Sequence, residues 1–133
     1  ESWDLVVRLP LFRGLGAPAL AEIARLLKVQ NCAADATIVR QGQPGDSMFF
    51  IAEGEAEVRT ATGRVRLRAG QFFGEKSLIS GEPRSANVVS VTPTRLLRLD
   101  VIDFRDLAAR QPDLLQVIET ENARRTVSPG EKV

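Results

Sequence analysis

Residues 73–88, with the sequence FGEKSLISGEPRSANV, bring together residue types that bind an anion. Gly74 allows a ligand to approach the backbone closely. Residues 75–80 are long enough for just over one helical turn, whose first N–H groups would face negative charge. Arg84 adds a permanent cation with several donors, and Ser85 adds a hydroxyl. The stretch therefore predicts an anion-binding site.

Glu75 lies beside this predicted site, where a carboxylate is unfavourable unless it contacts another part of the ligand. A sugar phosphate resolves the conflict, because the donors hold its phosphate while Glu75 accepts a hydrogen bond from a ribose hydroxyl. The alternative is a helical turn in which Glu75 and Arg84 form an ordinary salt bridge. In either case we expect Leu78 and Ile79 to anchor the turn to the core.

Helical and strand patterns surround the stretch. Apolar residues fit a short helix that ends at Pro10 and an amphipathic helix over residues 18–28, and helical spacing returns over residues 100–111, with Asp100 as N-cap, and 113–125. Short strand-like runs lie between them, at residues 37–39, 48–51, 56–59, 65–68, 72–73, 86–91 and 94–99. These patterns predict a mainly β domain, an antiparallel sandwich or barrel with helices at both ends.

Composition excludes several functions. Eighteen basic and seventeen acidic residues leave a net charge of +1, so no overall field favours nucleic acid or an anionic membrane. The chain has no histidine, which excludes histidine-based triads and makes a metal site improbable. A single Cys32 cannot form an internal disulfide and favours the cytosol. No apolar run of roughly 18 residues predicts a membrane span, and a start at Glu1 suggests a fragment of a longer protein.

Two stretches resemble the signatures of one family. Residues 73–88 resemble the phosphate-binding cassette of the cyclic nucleotide-binding domain family, which reads F-G-E, a short helix, then P-R, a small or hydroxyl residue, and A-x-V. Residues 42–54, GQPGDSMFFIAEG, resemble its second signature, G-x-x-G-D followed by an apolar strand and a glycine. The resemblance spans residues 9–125. It implies an antiparallel β-roll (a jelly-roll-like barrel) with flanking N- and C-terminal helices.

On this resemblance the chain divides into four parts: an N-terminal helical segment (1–28), the β-roll with its cassette (29–100), hinge and lid helices (101–126) and a tail (127–133). The loop at residues 42–46 is predicted to be a tight turn that shapes the roll, with a positive φ at Gly42 or Gly45 and Asp46 as its cap, and is not predicted to be a ligand site.

The resemblance also assigns roles to residues of the cassette. Gly74 and Glu75 are expected to hold the ribose 2′-hydroxyl, and the amide of Ser77 together with Arg84 and Ser85 the cyclic phosphate. A hydroxyl at Ser85 also permits contact with guanine, so the ligand is cyclic AMP or cyclic GMP, with no further cofactor. No catalytic residue or metal site is implied, and the domain is not expected to be an enzyme.

Some positions depart from the family pattern. Lys76 and Ser77 stand where the family usually has apolar or small residues, and Lys76 would add charge near the phosphate. Asn87 replaces the more frequent threonine. These changes remove none of the groups expected to contact the ligand.

Contacts to the base rest on fewer signals. Val58 is one candidate, with simple core packing as its alternative. In the family the last helix is a lid over the purine, so Arg124 or Arg125 is expected to lay a guanidinium over the base, with a solvated helix face as the alternative.

Residues 5–27, together with GEPRSANV, resemble the C-terminal domain of bacterial cyclic nucleotide-gated potassium channels. This implies a soluble, cytoplasmic domain of an inner-membrane tetramer whose partner is the pore domain. The alternatives are a sensor domain of a bacterial transcription factor or kinase regulator, a cupin-type enzyme, which the lack of histidine disfavours, and a degenerate domain that binds no nucleotide, which the intact cassette disfavours.

Overall fold

The structure is a computed structural model that describes residues 2–7, 9, 12–13 and 15–124, without the side chains of residues 2–3 and 121–124. The helices are α1 (Ser2–Val6), α2 (Ala17–Leu26), α3 (Glu75–Ser80), α4 (Val101–Arg110) and α5 (Pro112–Arg124). The strands are β1 (Lys28–Cys32), β2 (Thr37–Val39), β3 (Ser47–Glu53), β4 (Glu55–Thr60), β5 (Gly63–Arg68), β6 (Phe72–Phe73), β7 (Asn87–Ser90) and β8 (Thr94–Asp100).

The strands form two four-stranded sheets, ordered β1-β8-β3-β6 and β2-β7-β4-β5. Every pair of neighbouring strands is antiparallel. The predicted β-roll with flanking helices is therefore confirmed, although the sheets remain two layers and do not close into one barrel.

Strand β3 is buried on both faces because it separates the two halves of the core. Met48 and Phe50 pack with the helices, whereas Phe49 and Ile51 pack between the sheets. Side chains alternate across a strand, so four consecutive apolar residues supply both layers. The ring of Phe49 stacks on that of Phe73, with centroids 5.1 Å apart.

Two apolar clusters make up this core. The helix-side core joins the terminal helices to one sheet and consists of Leu5, Val6, Leu9, Phe12, Ile23, Leu27, Met48, Phe50, Phe72, Leu78, Leu97, Leu99, Phe104, Leu107, Leu114 and Ile118. The roll core fills the space between the sheets and consists of Val39, Phe49, Ile51, Ala56, Val58, Leu67, Phe73, Ala86, Val88 and Leu96.

Helix boundaries differ from the predictions at two junctions. Helix α2 ends at Leu26, because Lys28 already begins β1, a mostly exposed strand that pairs with β8.

Asp100 occupies the N-cap position of α4 without a capping hydrogen bond from its side chain. Its carboxylate instead lies 2.6 Å from Nζ of Lys28 and 3.0 Å from Nε of Arg98. This ion-pair cluster ties the start of β1 to the start of α4.

Helix α1 ends at Val6, before the predicted stop at Pro10, which itself lies outside the described residues. Within the part of the chain that the structure describes, no helix is both long and apolar enough to cross a bilayer.

Candidate functional site

The predicted helical turn of the cassette is present as α3, between two glycines in the left-handed conformation. Gly74 precedes it with a φ of 89°, and Gly81 ends it with a φ of 77°. The amide of Gly81 donates to the carbonyl of Ser77 at 2.9 Å. Glycine adopts these angles without the steric cost that a side chain brings, so the two glycines define both ends of α3.

One of the two predicted anchors of α3 is wrong. Leu78 is buried in the helix-side core, whereas the side chain of Ile79 is 40% exposed. A helix of little more than one turn presents adjacent residues to different sides, so only Leu78 reaches the core. Leu78 thereby connects the cassette to the same cluster that holds the terminal helices.

Arg84 is 7% exposed, which is unusually deep for a cation. Its Nη1 donates to the carbonyl of Gly74 at 3.1 Å, and its Nη2 donates to the carbonyl of Ser47 at 2.7 Å. A Cβ added at Gly74 would lie 2.8 Å from Nη1 of Arg84. Glycine at this position therefore allows the guanidinium to lie directly against the backbone.

Electrostatics at Arg84 act in opposite directions. Burial lowers the pKa of Arg84 below its ordinary value, while the carboxylates of Asp46 and Glu75 favour the charged form and raise it. Two nearby carboxylates thus help to keep a buried cation charged. The negative charge of an anionic ligand would further favour the charged form of Arg84.

The loop at residues 42–46 holds the backbone of Arg84. The amide of Gly42 donates to the carbonyl of Arg84, and the amide of Arg84 donates to the carbonyl of Gln43, both at 2.9 Å. Gly42 has a φ of 88°, whereas Gly45 has no positive φ. A Cβ at Gly45 would lie 2.1 Å from Cβ of Ser77, so this second glycine serves close packing against α3.

Sequence reasoning treated this loop only as a turn and missed its contact with the cassette. The contacts use the backbone of Gly42 and Gln43, which every residue type carries, and the lack of a side chain at Gly45. Residue types alone therefore do not predict these contacts. Only the G-x-x-G spacing indicates in the sequence that this loop has a structural role. Asp46, predicted as a cap, accepts a hydrogen bond from the hydroxyl of Ser47 at 3.2 Å.

The other cassette residues differ in their surroundings. Glu75 is completely buried and Ser77 is 7% exposed, while Ser85 is half-buried. Nζ of Lys76 lies 3.9 Å from a carboxylate oxygen of Glu82, so its charge is directed toward that exposed carboxylate. Among the predicted site residues, the structure brings Gly74 and Glu75 together with Arg84.

Of the predicted base contacts, the structure describes only the side chain of Val58. Val58 belongs to the roll core and is 1% exposed, which agrees with the alternative of core packing. The side chain of Arg124 and all of Arg125 lie outside the described residues.

A cleft of about 100 Å³, partly open to solvent, reaches Arg84 from the β2 side. That volume is below the range of roughly 300–1,000 Å³ found for small-molecule sites. Its lining includes Val39, Arg40, Asp46, Ser47, Phe49 and Arg84.

Comparison with known families matches residues 29–111 to the cyclic nucleotide-binding domain. The chain belongs to the cyclic nucleotide-binding domain family. The matched range contains the roll except for its first residue, together with α3, Arg84 and all of α4. The resemblance on which the roles of the cassette rest is therefore confirmed, while the individual contacts to a nucleotide remain predictions.

Relatives of this cyclic nucleotide-binding domain include bacterial channels. A cyclic nucleotide-gated potassium channel of Rhizobium etli is 44% identical over 97% of this chain and 36% of its own length. Another, from Mesorhizobium japonicum, is 46% identical over 88% of this chain and 33% of its own length. The chain thus spans about a third of the channels that it matches.

A solved structure shares the fold. The regulatory domain of Toxoplasma gondii PKA in complex with cAMP has a TM-score of 0.78 and 29% identity to this chain, covering 90% of this chain and 48% of that one.

Proposed function

We propose that this cyclic nucleotide-binding domain binds cyclic AMP or cyclic GMP at the N-terminal end of α3. The observation that carries the proposal is the convergence of Arg84 on Gly74, with the fully buried Glu75 as the next residue. A cation with a fork of donors suits the cyclic phosphate, and the carboxylate suits a ribose hydroxyl. The amide of Ser77 and the hydroxyl of Ser85 complete the proposed phosphate contacts, with Lys76 adding positive charge nearby.

The base is proposed to lie against the roll and under the last helix. Val58 would contact it only if the roll core opens, because its side chain is buried. Arg124 or Arg125 is proposed to cover the purine with a guanidinium, a contact of roughly 0.5–2 kcal/mol.

Binding is further proposed to move the terminal helices. Leu78 shares the helix-side core with Ile23 of α2, Phe104 of α4 and Ile118 of α5. A shift of α3 on ligand binding would therefore repack residues from every terminal helix. In this view residues 1–28 transmit the signal, residues 29–100 bind the ligand, residues 101–126 act as hinge and lid, and residues 127–133 form a tail.

The parent protein is proposed to be a tetrameric potassium channel of the inner membrane, with this domain in the cytoplasm and the pore domain as its partner. The likeness to the channels of Rhizobium etli and Mesorhizobium japonicum supports this assignment, as does the resemblance noted for residues 5–27. The sensor domain of a kinase regulator is the second candidate, supported by the likeness to the Toxoplasma gondii domain. Six apolar spans and a potassium-filter motif upstream in the gene would distinguish the two.

Binding and coupling are tested together by spin labelling. Cys32 is the single cysteine, so Cys32→Ser gives a background for Ala21→Cys in α2 and Gln116→Cys in α5, both at exposed positions. We expect cyclic AMP to shift the distance between the two labels and to raise the midpoint of urea unfolding. 5′-AMP, which lacks the cyclic phosphate, should do neither.

The two readouts separate the parts of the proposal. A raised unfolding midpoint with an unchanged label distance would contradict the coupling but not the binding. If cyclic AMP and cyclic GMP change neither quantity, the whole proposal is wrong.

A further inference from the structure

The chain beyond β2 stays attached to residues 84–87 after the strand pairing has ended. Pairing between β2 and β7 reaches Val39 opposite Val88. Two residues further on, the amide of Gln41 donates to the side-chain oxygen Oδ1 of Asn87 at 2.8 Å. The side chain of Asn87 thus adds one hydrogen bond beyond the last backbone pair of β2 and β7.

The next two bonds return to the backbone. The amide of Gly42 donates to Arg84, and the amide of Arg84 donates to Gln43, each at 2.9 Å. Three successive residues, 41–43, therefore bond to both ends of the segment 84–87. This segment is an arch whose first residue, Arg84, is held by the loop through its backbone. At the other end Asn87, which follows Ser85 by two residues, is fixed by its pairing with Arg59 of β4, and its carboxamide in turn holds the amide of Gln41.

From this geometry we infer that Asn87 is a positioning residue for the phosphate site. Its oxygen holds the amide of Gln41, and the next two residues of the loop bond the backbone of Arg84, so the position of Arg84 and of the adjacent Ser85 depends on this bond. The inference rests on the proposed function, because a positioning role requires that Arg84 and Ser85 contact the cyclic phosphate. The length of the asparagine side chain matters for its bond to Gln41, because Oδ1 lies one bond further from the backbone than a hydroxyl on Cβ would.

The test compares variants with and without the acceptor. Asn87→Leu removes the oxygen at similar size, and Asn87→Asp retains an acceptor at the same place. Asn31→Leu is the matched control, because Oδ1 of Asn31 accepts from Nε of Arg95 at 3.3 Å in the other sheet. Cyclic AMP affinity is measured by calorimetry in about 0.5 M salt, which screens the added charge of the aspartate.

We expect Asn87→Leu to weaken cyclic AMP binding about three- to tenfold and to accelerate hydrogen exchange at the amide of Gln41. Asn87→Asp should stay within about twofold of the original chain, and Asn31→Leu should change neither quantity. Urea unfolding identifies a variant that fails to fold, and Asn87→Ala then replaces the leucine.

Unchanged affinity in Asn87→Leu, or equal losses in the leucine and aspartate variants, would overturn the positioning role while leaving cyclic nucleotide binding intact. A lack of binding by the unsubstituted chain would overturn both.

Discussion

Nη2 of Arg84 donates to the carbonyl oxygen of Ser47 at 2.7 Å, and this bond connects the cassette to the first residue of β3. Together with the bond to Gly74, it fixes the guanidinium before a ligand arrives. Ordering a long, flexible side chain opposes binding, and a side chain that is already ordered avoids much of that entropy loss. Arg84 is therefore both a structural connection and the preorganised cation of the proposed site.

Glu75→Gln tests the proposed ribose contact. The unsubstituted chain should prefer cyclic AMP over 2′-deoxy-cyclic AMP by about ten- to a hundredfold, because the charged acceptor loses its hydroxyl partner in the deoxy ligand. The variant should lose most of that preference. Glu82→Gln is the control, since the carboxylate of Glu82 lies on the same stretch but is 63% exposed. Competition binding with both nucleotides measures the preference, and an undiminished preference in Glu75→Gln would exclude this role.

Gly45→Ala tests whether close packing of the loop on α3 supports ligand binding. The new Cβ would lie 2.1 Å from Cβ of Ser77, so loop and helix must separate. We expect cyclic AMP affinity to fall more than about tenfold, with a stability loss of about 1–3 kcal/mol from overpacking.

Gly42→Ala is the control for that substitution within the same loop. A Cβ at Gly42 meets no atom within 4 Å, although its φ of 88° adds backbone strain. This variant should lose about 1 kcal/mol of stability and keep its affinity within about threefold. Equal affinity losses in the two variants would show that the collision with Ser77 is not the cause.

Leu78→Ala and Ile79→Ala test how α3 is anchored. Leu78 is 5% exposed and Ile79 is 40% exposed. Loss of the buried side chain should lower the free energy of unfolding by about 2–5 kcal/mol, whereas the exposed neighbour should cost below about 1 kcal/mol. Urea unfolding measures both, and similar losses would contradict the placement of Leu78 in the helix-side core.

Much of the fold was predictable because its layers follow directly from residue type. The apolar run at residues 48–51 supplies both core layers, and alternating strands and turn residues predicted the roll. Strand β1 was missed because its burial is slight and pairing with β8 holds it in place. For the same reason the sequence pattern predicts a helix that continues to residue 28, whereas α2 ends at Leu26.

The arrangement of the candidate site was predictable where side chains form it and not where the backbone does. Residue types and spacing predict that Gly74, Glu75 and Arg84 lie together, and the structure brings them together, while their contacts to a ligand stay predictions. The carbonyl of Ser47, which accepts from Arg84, gives no signal in the sequence because every residue carries a carbonyl. The orientation of Lys76 toward Glu82 depends on where α3 ends, and composition does not report that.

Asp100 should make stability depend on pH. The hydrogen bond from Lys28 is the main cause that lowers the pKa of Asp100, and Arg98 adds to it, while burial acts in the opposite direction. A carboxyl with a lower pKa in the folded state stabilises the fold above its unfolded pKa, and that contribution disappears as the pH falls through the folded value.

Asp100→Asn should therefore lower the free energy of unfolding at pH 7 by about 0.2–1 kcal/mol, a modest amount because Lys28 is largely exposed. The difference should vanish in acid, and urea unfolding from pH 7 to about pH 2 measures it. In a Lys28→Gln background most of the difference should already be absent. A constant difference at all pH values would mean that the ion pairs are not its source.

Calorimetric titration of the chain with cyclic AMP and cyclic GMP tests most directly whether Arg84 holds the cyclic phosphate of a nucleotide. We predict saturable heat with one site per chain for at least one of them. Arg84→Ala should weaken that binding by about 2–4 kcal/mol. The loss should be smaller in Arg84→Lys and absent in Arg95→Ala, which removes an exposed arginine near the start of β8. No heat with either nucleotide, or equal affinity in Arg84→Ala, would contradict the account.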